Sequence, residues 1–107
     1  MAYTRIDVAK ARELIDKSHA AVIDVRDPAS YEAGHIPGAE AVNDSNVQAF
    51  VQAADRSRPL IVCCYHGNMS QGAADYFHQH GFAETYSLDG GYEAWQAAAV
   101  GDAPPEG

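Results

Sequence analysis

The 107-residue chain has a net charge of −8, with 47% hydrophobic and 21% charged residues, the balance of a single folded domain rather than a disordered segment. That charge speaks against a nucleic-acid partner, which needs lysine and arginine to neutralise phosphates. No stretch reaches the ~18 consecutive apolar residues of a membrane span, and the opening "MAYTRIDVAK" lacks the apolar core of a secretory signal.

The expected setting is therefore cytoplasmic, where thiols stay reduced. The two cysteines, Cys63 and Cys64, are sequence neighbours and cannot close a useful loop, so a disulfide scaffold is excluded. All seven basic residues lie at or before Arg58. An anion bound in the second half of the chain must be held mostly by backbone dipoles. Residues 1–100 are expected to form one domain, with 101–107, "GDAPPEG", as a flexible tail.

In chain order, "YTRI" predicts a short first strand, and Asp7 predicts a cap for a helix over 8–17. That helix presents Val8, Ala11, Leu14 and Ile15 on one apolar face. "AAVIDVR" (20–26) predicts a buried strand. Asp27-Pro28 predicts the start of a short helix that Gly34 ends. "GHIPGA" predicts a turn, "EAV" a brief strand, and Asp44 or Ser45 the cap of a helix over 46–54. "PLIVC" (59–63) is the continuous apolar run of a strand covered on both faces. Ser70 predicts a cap for a helix reaching His80, with Gly81 as its stop. "ETYSL" predicts the last strand, "DGG" a turn and Tyr92–Ala98 a closing helix. Such β-α alternation predicts an α/β fold: a mainly parallel sheet of about five strands with helices on both faces. Ligands in such sheets sit beyond the carboxyl ends of the strands.

"VCCYHGNMSQGAADYF" (62–77) falls at one of those ends. A cysteine between a strand and a helix start lies among the orphan N–H groups of the helix, which attract anions and favour thiolate over thiol. Gly67 permits a curled loop whose successive N–H groups form an anion nest. Cys63 ends the apolar run and reads as core filler. Cys64 stands at the rim and is the expected nucleophile. The N–H groups of residues 65–69 are the expected donors.

"VIDVRDPASYEAGHIPGA", "IVCCYHGNMSQGAADYF" and "LDGGYEAW" together resemble three successive signatures of rhodanese domains. The "CYHGN" loop and the short length are similar to the single-domain thiosulfate sulfurtransferases of the GlpE type. The resemblance covers about residues 5–97. It implies an enzyme that works by ping-pong sulfur transfer without a cofactor. The residue matching Cys64 takes the outer sulfur of thiosulfate as a persulfide, releases sulfite, and passes the sulfur to cyanide or to a thiol or dithiol such as a thioredoxin-like protein. The substrate-binding loop it implies is Tyr65, His66, Gly67, Asn68, Met69 and Ser70. Met69 stands where related loops often carry a hydroxyl residue or arginine, and Gln71 where a lysine would help an incoming dianion. Modest affinity for thiosulfate is expected from an acidic protein with no steering charge.

Several rival readings are weaker. Phosphatase chemistry on this type of fold needs Cys-x5-Arg, and the arginine position is Ser70. Vicinal cysteines are poor partners for one zinc ion, so no metal is expected. A persulfide carrier or pure binding module of the same fold is the stronger alternative. His66 is either a contact for the substrate anion or an ordinary loop histidine. Asp24 and Arg26 read as an ion pair that is structural or rims the site, and His35 as a residue that holds its turn. Tyr65 is placed at the pocket mouth, Trp95 in the core or at the domain rim, and His19, His78 and His80 at the surface. Small apolar-rich surfaces of this kind often pair as homodimers.

Overall fold

The computed structural model describes residues 3–102, with the backbone alone for residues 100–102. Five strands form one sheet in the order β1-β5-β4-β2-β3, and every neighbouring pair is parallel. The strands are β1 (Thr4–Ile6), β2 (Ala21–Asp24), β3 (Glu40–Ala41), β4 (Leu60–Cys63) and β5 (Thr85–Leu88). The helices between and after them are α1 (Val8–Ser18), α2 (Pro28–Ala33), α3 (Val47–Ala53), α4 (Met69–Gln79) and α5 (Gly91–Asp102). Because the sheet is parallel, all its carboxyl ends lie on one side, and β4 is its middle strand.

Side-chain alternation along β4 divides the core in two. Ile61 and Cys63 point into a cluster with Ala11 and Leu14 of α1, against which Tyr92 and Trp95 of α5 pack. Leu60 and Val62 point the other way, into a cluster with Val51 of α3, Ala74 and Phe77 of α4, and Phe82. Both faces of the strand are fully covered, as its continuous apolar run requires.

The helix starts follow local chemistry, with two departures from expectation. Asp7 accepts from the Lys10 N–H and Asp27 from the Ser30 N–H, so both cap their helices as expected. Neither Asp44 nor Ser45 caps α3; its N-cap is Asn46. Asn43 and Asn46 close a side-chain turn over this stretch: Asn46 Oδ1 accepts from the Asn43 N–H and Asn43 Oδ1 from the Ser45 N–H. Ser70 does not cap α4 either. The N-cap is Asn68, which makes no side-chain cap bond, and Ser70 lies inside the first turn, fully buried.

The remaining differences are of length. The strand expected over 20–26 is regular only over Ala21–Asp24, because beyond Asp24 the chain turns into the Asp24–Arg26 ion pair. The closing helix starts one residue earlier than expected and runs on through Asp102, taking in the first two residues assigned to the tail. Residues 103–107 of that tail lie outside the described residues. None of the described helices is long and apolar enough to cross a membrane.

Phe77 and Phe82 are the largest fully buried side chains among the described residues, and Phe77 joins α4 to the sheet and to the rings of Phe50 and Phe82. Phe77→Ala is expected to cost about 3–5 kcal/mol of unfolding free energy. Urea denaturation, read as a fall in midpoint at unchanged slope, measures it.

Candidate active site

β4 delivers the two cysteines to opposite faces of the sheet. Cys63, inside the α1/α5 cluster, is fully buried. Burial, and then the nearby Asp24 carboxylate, push its thiol up to about 12. Cys64, one residue on, turns toward α4. It is also buried, at 1% exposure, so it lies on the floor of the loop rather than at the rim where the sequence placed it. The loop curls over it, and this closure was not readable from polarity alone.

Three hydrogen-bonding groups converge on Cys64 Sγ. The Gly67 and Ser70 N–H groups donate to it at 3.2 Å each, and the Ser70 hydroxyl lies 3.3 Å away. Burial alone pushes this thiol up. The Ser70 hydroxyl and the Ser70, Gly67 and His66 N–H groups outweigh burial, and the thiol is held below its ordinary value. The donors therefore differ in part from the expected run over 65–69: Ser70 joins them because it sits inside the first turn of α4. The sulfur takes the place of the missing side-chain cap at that helix N-terminus. The Ser70 hydroxyl accepts from the thiol and can rotate to donate to the thiolate, with Ser87 Oγ of β5 at 2.7 Å as its second partner.

The loop is held from outside by two devices. The Tyr92 N–H donates to the Cys64 carbonyl at 2.8 Å and the Glu93 N–H to the Tyr65 carbonyl at 3.3 Å, so the N-terminus of α5 takes the loop carbonyls. This close approach requires glycine. A Cβ on Gly91, at φ +59°, would lie 2.4 Å from the Cys64 carbonyl oxygen, and one on Gly67, at φ +95°, would lie 2.9 Å from the Gly90 nitrogen. On the other side, Gln71 Nε2 donates to the Gly67 carbonyl at 2.9 Å, while its Oε1 accepts from the Tyr3 hydroxyl at 3.0 Å. Gln71, notable in the sequence only for not being lysine, is thus a loop clamp. The contributions of Ser87, Tyr3 and the α5 amides were missed; the paired glycines of "LDGGYEAW" were the one sequence signal of a close backbone approach.

The other expected residues take distinct places. Tyr65 hydrogen-bonds through its hydroxyl to the Asp27 carboxylate, tying the loop to the start of α2. The Ser30 hydroxyl and N–H hold that carboxyl below its usual range. His66 faces solvent, with Nδ1 3.2 Å from Glu93 Oε1. Asn68 and Met69 are exposed. Asp24 and Arg26 form a buried two-pronged pair at 2.8–3.1 Å; Arg26 also donates to the Gly34 carbonyl at 2.6 Å and lies 4.4 Å from the Tyr92 ring centre. The pair therefore braces the α2 and α5 ends beside the site. His35 stacks on Tyr31 at 3.9 Å, with Nδ1 2.8 Å from the Tyr31 carbonyl, and so holds its turn. Trp95 packs against the α1/α5 cluster, beneath Arg12. Among the described residues no group of three or more His, Cys, Asp or Glu side chains is placed to hold a metal ion.

A cysteine sulfur bound to backbone amides after the middle strand of a five-stranded parallel sheet defines an anion-loop protein of the cysteine class. The chain belongs to the rhodanese family: residues 7–98 match the rhodanese-like domain. It is 48% identical over 98 residues to a protein of Pseudoalteromonas translucida named thiosulfate sulfurtransferase GlpE, covering 92% of this chain and 93% of that protein. A protein of the same name from Pseudomonas paraeruginosa is 48% identical over 100 residues, covering 94% of this chain and 90% of the relative. Among solved structures, a rhodanese-related protein of Thermoplasma volcanium superposes with a TM-score of 0.76 at 27% identity, over 90% of this chain and 93% of that one.

Two substitutions separate the roles. Ser70→Ala removes a charge-assisted donor from the sulfur and is expected to slow reaction of Cys64 at neutral pH about tenfold, with recovery as the pH is raised. The pH profile of cysteine modification checks it, since a purely structural role would lower the rate at every pH. Arg26→Met leaves the buried Asp24 carboxylate without its partner and is expected to cost about 3–5 kcal/mol in urea denaturation.

Proposed function

We infer that this protein is a thiosulfate sulfurtransferase in which Cys64 is the nucleophile. The observation that carries this reading is the convergence of two N–H groups and a hydroxyl on Cys64 Sγ, while burial drives Cys63 the other way. The two curated relatives above bear the same activity in their names.

In the first half-reaction the Cys64 thiolate attacks the outer sulfur of thiosulfate. The bond between the two thiosulfate sulfurs breaks, sulfite leaves with the electron pair, and Cys64 is left as an anionic persulfide. The outer sulfur lies within the curl of residues 65–69, whose remaining N–H groups are the nearest donors for its charge. In the second half-reaction cyanide or a thiolate attacks that outer sulfur and Cys64 leaves as the thiolate, returning to the same amide cradle. The stabilised leaving group in the second step is the stabilised nucleophile of the first, so one arrangement serves both. A dithiol protein of thioredoxin type is a suitable acceptor, and two free thiols suit a reduced cytoplasmic setting.

Intact-protein mass spectrometry before and after thiosulfate tests the reading. A gain of one sulfur atom is expected, lost on adding cyanide with release of thiocyanate, and absent in Cys64→Ser. The same gain in Cys64→Ser would move the chemistry to Cys63 and overturn the assignment.

A further inference from the structure

The two half-reactions leave one buried polar side chain unused. Along β5, Tyr86 and Leu88 turn to the α1/α5 cluster, and alternation sends Ser87 to the opposite face, toward α4. Ser87 stands opposite Val62 of β4, whose side chain lies in the cluster with Ala74 and Phe77. It is fully buried, and a hydroxyl buried on an apolar face costs stability unless it has a partner. Its partner is the Ser70 hydroxyl at 2.7 Å, which in turn lies 3.3 Å from Cys64 Sγ. Two fully buried hydroxyls thus form a chain that ends on the nucleophile.

Each hydroxyl carries one proton, so the direction of the chain follows from the state of the sulfur. A thiolate only accepts. Ser70 must then donate to it, and the Ser70 oxygen is open to accept from Ser87. A donor behind Ser70 polarises its O–H, since hydrogen bonds in such a chain strengthen one another. The ionisable groups around the chain are engaged elsewhere. Arg5, beside Ser87 on β1, pairs with Asp89 at the surface, and Asp24 pairs with Arg26. His66 lies against Glu93 outside the loop, the Tyr3 hydroxyl donates to Gln71, and Asp75 of α4 accepts from Gln79. The two hydroxyls are the polar link from β5 to the sulfur.

We propose that Ser87 is a positioning residue that fixes Ser70 as a donor to the Cys64 thiolate, so that the pair favours thiolate over persulfide and acts in both half-reactions. This role rests on Cys64 as the persulfide-forming residue. During loading, the Cys64 thiolate bonds to the outer sulfur of thiosulfate, the bond between the two thiosulfate sulfurs breaks, and sulfite leaves with the electron pair. The negative charge then sits on the outer sulfur. Sγ, now bonded to carbon and to sulfur, is a weak acceptor, and the hydroxyl chain has lost its charged end. During discharge, cyanide bonds to the outer sulfur and thiocyanate departs. The electron pair of the broken bond returns to Sγ, and Ser70 donates to it again. No proton passes along the chain in either step.

Single-turnover loading by thiosulfate and discharge by cyanide are followed over a range of pH by intact-protein mass spectrometry. Below the midpoint of thiol ionisation, Ser87→Ala is expected to slow loading about threefold. The loss is expected to vanish at high pH, where the thiolate is fully formed and its raised pKa makes it the better nucleophile. Discharge is expected to be slowed about twofold at every pH, because the same thiolate is the poorer leaving group. In the Ser70→Ala background, Ser87→Ala is expected to change neither rate. Ser87→Thr, which keeps the hydroxyl, is expected to retain the wild-type profile. Unchanged profiles in Ser87→Ala would overturn the proposal. So would slower loading at every pH, an equal loss with and without the Ser70 hydroxyl, or the same loss in Ser87→Thr, each of which would make Ser87 a packing residue. Failure of the Cys64 reading looks different: the wild-type protein would then gain no sulfur at Cys64.

Discussion

The N-terminus of α4 begins without a side-chain cap, and the sulfur of Cys64 stands in its place. Every helix start leaves backbone N–H groups unsatisfied, and in α1 and α2 an aspartate takes one of them. In α4 that need is met by a cysteine six residues before the serine whose amide it binds. A helix that requires an acceptor and a sulfur that requires donors meet at one point. The fold thus stabilises a thiolate with groups it must present in any case, and no lysine or arginine side chain is used.

This arrangement depends on the middle strand. Four residues of β4 bury both of their faces, and their alternation sends Cys63 into one cluster and the following Cys64 toward the other. Two adjacent thiols thereby acquire opposite chemistry. One is a core group whose ionisation burial opposes; the other is held below its ordinary value by directed hydrogen bonds despite burial. The loop between them and α4 keeps its shape because its carbonyls are engaged elsewhere, by the α5 amides and by Gln71. With those oxygens engaged, the Gly67 and Ser70 N–H groups point at the sulfur.

Much of this was legible in the sequence because it follows from short-range rules. The strand and helix order, the Asp7 and Asp27 caps, the parallel sheet and the separation of Cys63 from Cys64 all come from local pattern and alternation. The misreadings share a different origin. Ser70 has the residue type of a cap, but its position relative to Cys64 is set by how the loop closes, which depends on Gly67, Gly90 and Gly91 packing across the sheet ends. Asn43 and Asn46 displaced Asp44 and Ser45 as turn formers through a side-chain pairing that no single position announces. Tyr3 meets Gln71 across 68 residues of sequence, a contact that only the folded topology supplies. An apolar cavity beside the loop draws on the segment between β2 and α2, on α3 and on α4, and has no linear signature.

The hold of backbone amides and one hydroxyl on Cys64 lowers its thiol below the ordinary value despite burial. Its most direct measurement is the ultraviolet thiolate absorbance of the Cys63→Ala protein, titrated with pH, where Cys64 is the sole remaining thiol. A midpoint clearly below the value of about 8.5 for a free cysteine is expected, with an upward shift when Ser70→Ala is added. A midpoint at or above that value would contradict it, because burial would then have outweighed the donors around the sulfur.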